Sequence, residues 1–182
     1  MKTLKTAKEC AYIAVFVAVL IAAQFMLSAV PGVEVVTVFF VAYVYVFGVW
    51  RGAVAAVAFS LLRQFVFGFF PTVLILYLLY YVLLAVVFGA LGRKGVKGIK
   101  DWKTLFFVVP IACACTVAFT LLDNVITPLW LAASRQAAKA YFISSLSFMI
   151  PHVLCVGITV GLLFLPIAKV FLLVKGNLCK NK

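Results

Sequence analysis

Apolar residues form six long runs along the chain, separated by short stretches that contain Gly, Pro or basic residues. A helix that crosses a bilayer needs about 20 mostly apolar residues, and a helix satisfies its own backbone hydrogen bonds in lipid. The pattern therefore predicts an all-α integral membrane protein with six transmembrane helices in a single domain, residues 1–182. The predicted helices cover residues 9–30, 34–50, 53–70, 72–91, 104–130 and 141–168.

Composition and charge agree with lipid as the solvent. The chain is 68% hydrophobic and 11% charged, whereas a soluble domain carries roughly 25% charged residues. Most basic residues lie before the first helix, in the connectors after the second and fourth, and after the sixth, while Arg135 and Lys139 lie on the other side. Under the positive-inside rule this distribution predicts cytoplasmic termini. It also explains the net charge of +12 without a nucleic-acid partner.

Only a few strongly polar residues interrupt the apolar runs. An ionisable side chain inside a span costs about 2.5–3.5 kcal/mol on insertion scales, so such residues usually face protein or a cavity. Helical spacing places several of them beside other polar or aromatic residues, which predicts an outward-opening pocket for a small molecule. The candidate substrate-binding residues are Glu34, Arg63, Gln64, Tyr77, Tyr80, Tyr81, Asp123, Asn124 and His152.

The residue types suggest what such a pocket would hold. Arg63 could meet a carboxylate or phosphate, Asp123 and Asn124 a hydroxyl, amide or cationic nitrogen, and the tyrosines a ring. The combination favours an anionic or zwitterionic ligand. The sequence offers no metal-ligand spacing and no recognisable catalytic set, so neither a metal, a cofactor nor catalysis is expected.

Each candidate also has a structural interpretation. Arg63 could form an ion pair with Asp123 or Glu34, and His152 could bond a backbone carbonyl freed by the preceding proline. The tyrosines could form an interfacial aromatic belt. Two threonines of the fifth helix, Thr116 and Thr120, are expected to bond their own helix backbone.

Small residues recur along the first helix. Ala14, Ala18 and Ala22 are spaced by four, which puts them on one helix face. Such a surface allows another helix to approach closely in lipid. The partner could be another protein or another helix of the same chain.

The chain resembles the S components of energy-coupling-factor (ECF) transporters in several loose segments and in its overall plan. Six apolar helices with basic cytoplasmic loops and an alanine ridge on the first helix are typical of that family. The segments that carry the resemblance are residues 31–37, 47–52, 123–128, 139–142 and 151–152.

The resemblance implies a mechanism and partners. An S component captures a vitamin or related micronutrient from outside a bacterial plasma membrane. It delivers this ligand through a transmembrane coupling subunit that carries two ATP-hydrolysing subunits. The family's docking feature would correspond to Ala14, Ala18 and Ala22. This chain has no GxxxxGK[ST] phosphate loop, so ATP hydrolysis would belong to the partners.

Other functions stay open at this stage. A stand-alone secondary transporter or small channel for a polar solute would also need polar groups inside the membrane. An intramembrane enzyme could use Asp123 and His152 as an acid–base couple, and a scaffold protein would need no ligand at all. The vitamin itself is not indicated by any motif.

Overall fold

The computed structural model describes residues 7–27, 35–95 and 102–180, and every regular element in these ranges is an α-helix. The all-α prediction is therefore confirmed. Five helices are long and apolar enough to cross a bilayer, and the remaining helix, α2, has 12 residues. The helices are α1 (Ala7–Leu27), α2 (Val36–Phe47), α3 (Val49–Phe67), α4 (Pro71–Gly95), α5 (Lys103–Trp130) and α6 (Arg135–Lys180).

Helix α2 is shorter than the predicted span of residues 34–50, and α3 begins before the predicted residue 53. The early end of α2 and the early start of α3 both arise at Gly48, whose φ of 89° interrupts the helix at one residue. Glycine tolerates this conformation because it has no Cβ. At 12 residues, α2 is about 18 Å long. It cannot cross a hydrocarbon core of about 30 Å by itself.

Helix α6 is much longer than the predicted 141–168. It begins at Arg135, where the Ser134 hydroxyl accepts a hydrogen bond from the amide of Ala137 at 3.2 Å, and it contains 46 residues. At 1.5 Å per residue its length is about 70 Å, which is more than twice the thickness of the apolar core of a bilayer. Lys169 and Lys175 lie within the helix rather than after it, because lysine is a good helix former.

Helix α2 forms the centre of the bundle. It packs against α1, α3, α4 and α6, while α5 packs against α4 and α6. Ten of its 12 residues are buried, and they point in all directions around the helix. A helix that is apolar all round belongs in an interior. In lipid its position depends on close packing, such as the stacking of Tyr43 on Phe16 with ring centres 3.9 Å apart.

Consecutive helices run in alternating directions, and two long-range contacts fix which ends meet. Arg51 at the start of α3 forms a salt bridge of 2.9 Å with Glu9 at the start of α1. Lys175 near the end of α6 donates a hydrogen bond to the carbonyl oxygen of Val46 at the end of α2. We call this end of the bundle the basic end and the other the opposite end. Both ends of the described chain lie at the basic end, and its cytoplasmic location remains an expectation from charge.

Candidate functional site

The hairpin between α5 and α6 brings an acidic and a phenolic side chain together near the opposite end. The helices are joined by the four residues 131–134. Asp123 lies seven residues before the end of α5 and Tyr141 six residues after the start of α6, so the two side chains lie at the same level. The Tyr141 hydroxyl donates to Asp123 Oδ2 at 2.6 Å, and the Thr127 hydroxyl donates to Oδ1 at 2.7 Å. The carboxylate that the sequence singled out is therefore oriented by one bond from each helix.

A pocket of about 280 Å³ lies between these two helices. This volume is near the lower limit for small-molecule sites. Asp123 and His152 are the two predicted substrate-binding residues that line it. The remaining wall combines hydroxyl groups with apolar and aromatic side chains: Phe119, Thr120, Tyr141, Ser144, Ser145, Phe148 and Met149.

Arg63 belongs to a second polar cluster, formed by α1, α3 and α4. Its Nε donates to Gln24 Oε1 at 3.0 Å, and Gln24 Nε2 donates to the Tyr77 hydroxyl at 2.9 Å. The guanidinium carbon lies 4.4 Å from the centre of the Tyr77 ring and 4.7 Å from that of Phe67. Amide and aromatic groups thus replace a carboxylate as partners of this cation.

The ion pair between Arg63 and Asp123, one of the structural interpretations, does not form in the described part of the chain. Glu34, the other proposed counter-charge and a predicted binding residue, lies outside the described residues. Within those residues, Arg63 Nη1 is buried and has no hydrogen-bond partner. The guanidinium group of Arg63 thus keeps a donor, Nη1, that no described residue uses.

Of the two predicted amides, Gln64 is partly satisfied and Asn124 is unsatisfied in the described structure. Gln64 Oε1 accepts from the backbone amide of Phe70 at 3.1 Å, which ties the end of α3 to the connector before α4. Gln64 Nε2 and both polar atoms of the Asn124 side chain are buried without a hydrogen-bond partner in the described structure. An unsatisfied buried polar group costs about 1–3 kcal/mol.

Aromatic rings connect the two polar clusters. Phe119 of α5 lies 6.1 Å from Tyr77 and 4.7 Å from Tyr80, measured between ring centres, and 6.3 Å from His152. Tyr80 and Tyr81 are 2% and 1% exposed, so the interfacial-belt interpretation is wrong for both. They pack inside the bundle, and neither lines the α5–α6 pocket.

Sequence reasoning missed several residues of this region, among them Tyr141, Gln24 and Phe119. Gln24 holds Arg63 and Tyr77 together, and it is an amide within an apolar run. The argument that singled out Gln64 could therefore have found it. Phe119 has no such signal, because phenylalanine is frequent in this chain. Only its tertiary position between Tyr80 and His152 distinguishes it.

The threonines of α5 behave as predicted. Thr116 donates to the carbonyl oxygen of Ala112 at 3.0 Å, and Thr120 donates to that of Thr116 at 3.3 Å. These bonds stay within one helix turn. Both hydroxyl groups therefore donate within α5.

The alanine ridge of α1 lies on the surface. Ala14, Ala18 and Ala22 are all exposed, while Phe16 and Leu20 of the same helix are buried. The described part of the chain therefore does not bury this ridge. In a bilayer it would face lipid or another protein.

Comparison with known protein families, with curated protein sequences and with solved structures gave no match. The class of protein follows from the fold, since five helices suited to crossing a bilayer make the chain a multi-pass membrane protein. Its candidate site consists of the α5–α6 pocket and the neighbouring Arg63 cluster.

Proposed function

We propose that this chain is the substrate-capturing S component of an ECF-type importer. The observation that supports this best is the α5–α6 pocket, in which Asp123 and His152 lie inside apolar helices beside open space. Polar groups at this depth are costly in lipid and usually mark a ligand or ion pathway. A vitamin-like molecule enters from the opposite end, which faces outwards.

The pocket lining suggests the chemistry of the ligand. Asp123 accepts hydrogen bonds, so the ligand presents donors such as a hydroxyl, an amide or a protonated nitrogen. The rings of Phe119 and His152 pack edge to face, with an interplanar angle of 84°, and offer aromatic surface to a planar group. Arg63 does not line this pocket. An anionic portion of the ligand would therefore have to reach the second cluster.

Delivery requires a partner, since the chain carries no ATP-binding loop. In this proposal the exposed ridge of Ala14, Ala18 and Ala22 docks on a transmembrane coupling subunit bound to two ATP-hydrolysing subunits. Small side chains allow the helix backbones to approach closely, where van der Waals contact is strongest. The alternative, a stand-alone secondary transporter or channel, needs neither this surface nor ATP.

The first test identifies small molecules that the purified chain retains, by mass spectrometry. We expect a vitamin or related compound with wild type and its loss with Asp123→Ala, which removes the acceptor oxygens. Tyr12→Phe, at an exposed tyrosine of α1, serves as a control that keeps the ligand. Equal retention by Asp123→Ala and wild type would remove the pocket from the proposal.

The second test measures uptake into vesicles with and without a coupling module and ATP. Leucine at Ala14 and Ala18 should abolish ATP-dependent uptake while ligand binding persists, because the bulkier face cannot approach its partner. Leucine at Ala90 and Ala114, which are exposed on α4 and α5, is the matched control. Accumulation without a coupling module would favour the secondary transporter instead.

A further inference from the structure

The break between α2 and α3 opens a second cavity at the basic end, far along the helices from the candidate ligand pocket. Its volume is about 510 Å³, and the residues around Gly48 form its floor. Three basic side chains line it from three different helices: Arg51 of α3, Arg93 of α4 and Lys175 of α6. Among the described residues that line it, none carries a carboxylate.

The three cations differ in how far their charge is already compensated. Arg51 Nη2 forms a salt bridge with Glu9, and Lys175 Nζ donates a hydrogen bond to the carbonyl oxygen of Val46. Arg93 is exposed, and no described carboxylate lies within ion-pair distance of it. A guanidinium has five donors, so Arg51 also keeps donors beyond the one used for Glu9. Among the described residues, three cations therefore line the cavity, and one carboxylate, that of Glu9, contacts one of them.

We propose that this cavity binds a phosphate group, such as that of an anionic phospholipid headgroup or of free phosphate. Guanidinium groups match phosphate oxygens with two parallel hydrogen bonds, which makes arginine the preferred residue for such recognition. The inference is independent of what the opposite end captures. It applies equally to an importer subunit and to a transporter.

The position of the cavity favours a lipid as the source of the phosphate. It lies at the basic end of the bundle, and its lining includes Trp50, which is 57% exposed. Tryptophan prefers the boundary between headgroups and acyl chains. If the basic end is cytoplasmic, as its charge predicts, the cavity faces the leaflet rich in anionic lipid.

The test compares lipid retention in the full chain by native mass spectrometry, using phosphatidylglycerol and phosphatidylcholine of equal chain length. Wild type should retain phosphatidylglycerol preferentially. Arg93→Gln should weaken that preference about fivefold, as expected for one basic residue near an anionic surface. Lys169→Gln removes the same charge from an exposed site of α6 that does not line the cavity, and it should leave the preference intact.

A third variant and a second anion complete the design. Arg93→Lys should restore most of the preference, which separates loss of charge from damage to the fold. Saturable binding of inorganic phosphate, lost in Arg93→Gln, would support the site with free phosphate as its source. The proposal would be overturned by equal retention of both lipids without phosphate binding. It would also be overturned by equal effects of Arg93→Gln and Lys169→Gln, or by binding only of an acidic protein segment.

Discussion

The bond between Tyr141 and Asp123 provides the sharpest test of the α5–α6 site. Tyr141→Phe removes one oxygen atom and leaves the aromatic ring in place. The Asp123 carboxylate then keeps only the bond from Thr127 within its own helix, at 2.7 Å. The change therefore isolates the interhelical contact of 2.6 Å that closes this side of the pocket.

Two known ranges bound the expected effect. Hydrogen bonds to charged groups contribute about 1.5–3 kcal/mol in soluble proteins. Interhelical bonds in a membrane protein average about 0.6 kcal/mol and reach about 1.7, because the unfolded chain in the membrane also finds partners. The Tyr141–Asp123 bond is short and half-buried, and its acceptor is a carboxylate. We therefore expect a coupling free energy of about 1 kcal/mol, in the upper half of the membrane range.

A double-mutant cycle measures this coupling directly. Tyr141→Phe, Asp123→Ala and the double variant are compared by reversible unfolding in bicelles, because alanine leaves no acceptor for the Tyr141 hydroxyl. Tyr12→Phe makes the same chemical change at an exposed tyrosine and should alter the unfolding free energy by less than about 0.5 kcal/mol. A coupling near zero, or an equal loss in Tyr12→Phe, would refute the pairing and the orientation of the carboxylate inferred from it.

Two further predictions concern packing and the Arg63 cluster. A Cβ at Gly89 would lie 2.6 Å from the backbone nitrogen of Val49, whereas one at Gly161 would meet nothing within 4 Å. Gly89→Ala should therefore lower the unfolding free energy by about 1–3 kcal/mol. Gly161→Ala should leave the unfolding free energy unchanged or raise it. Equal effects of the two variants would contradict the close approach of Gly89 to Val49. Gln24→Leu removes a shared partner and should cost about 1–3 kcal/mol. Adding Arg63→Met should recover part of this loss in the same unfolding assay, and a purely additive loss would argue against the cluster.

Hydrophobic run length predicted the existence of all six helices but not where they end. A run records which residues tolerate lipid, whereas a helix ends where the backbone leaves helical geometry. Gly48 supplied such a break within the predicted second helix. In α6 the basic residues after Ala168 interrupted the apolar run, yet lysine does not disfavour a helix. The predicted end was therefore wrong although the element was right.

The cost of polar groups in lipid identified individual site residues but not their partners. It singled out Arg63 and Asp123, and opposite charge then suggested that they pair. The structure instead joins Asp123 to Tyr141 through the register of the α5–α6 hairpin, and Arg63 to Gln24 across α1 and α3. Both contacts join different helices, and the spacing within one helix carries no information about them.

The pattern of satisfied and unsatisfied atoms supports the proposed binding region over a purely structural network. Replacing buried ionic groups with well-packed apolar residues is often neutral or stabilising, so stability alone does not account for Arg63, Asn124 and Asp123 inside apolar helices. Asp123 is held in place by two hydrogen bonds, yet it still lines open space. Arg63 Nη1 and the Asn124 amide have lost water without gaining a partner in the described structure. A bound ligand or an additional protein contact that supplied these bonds would offset that cost.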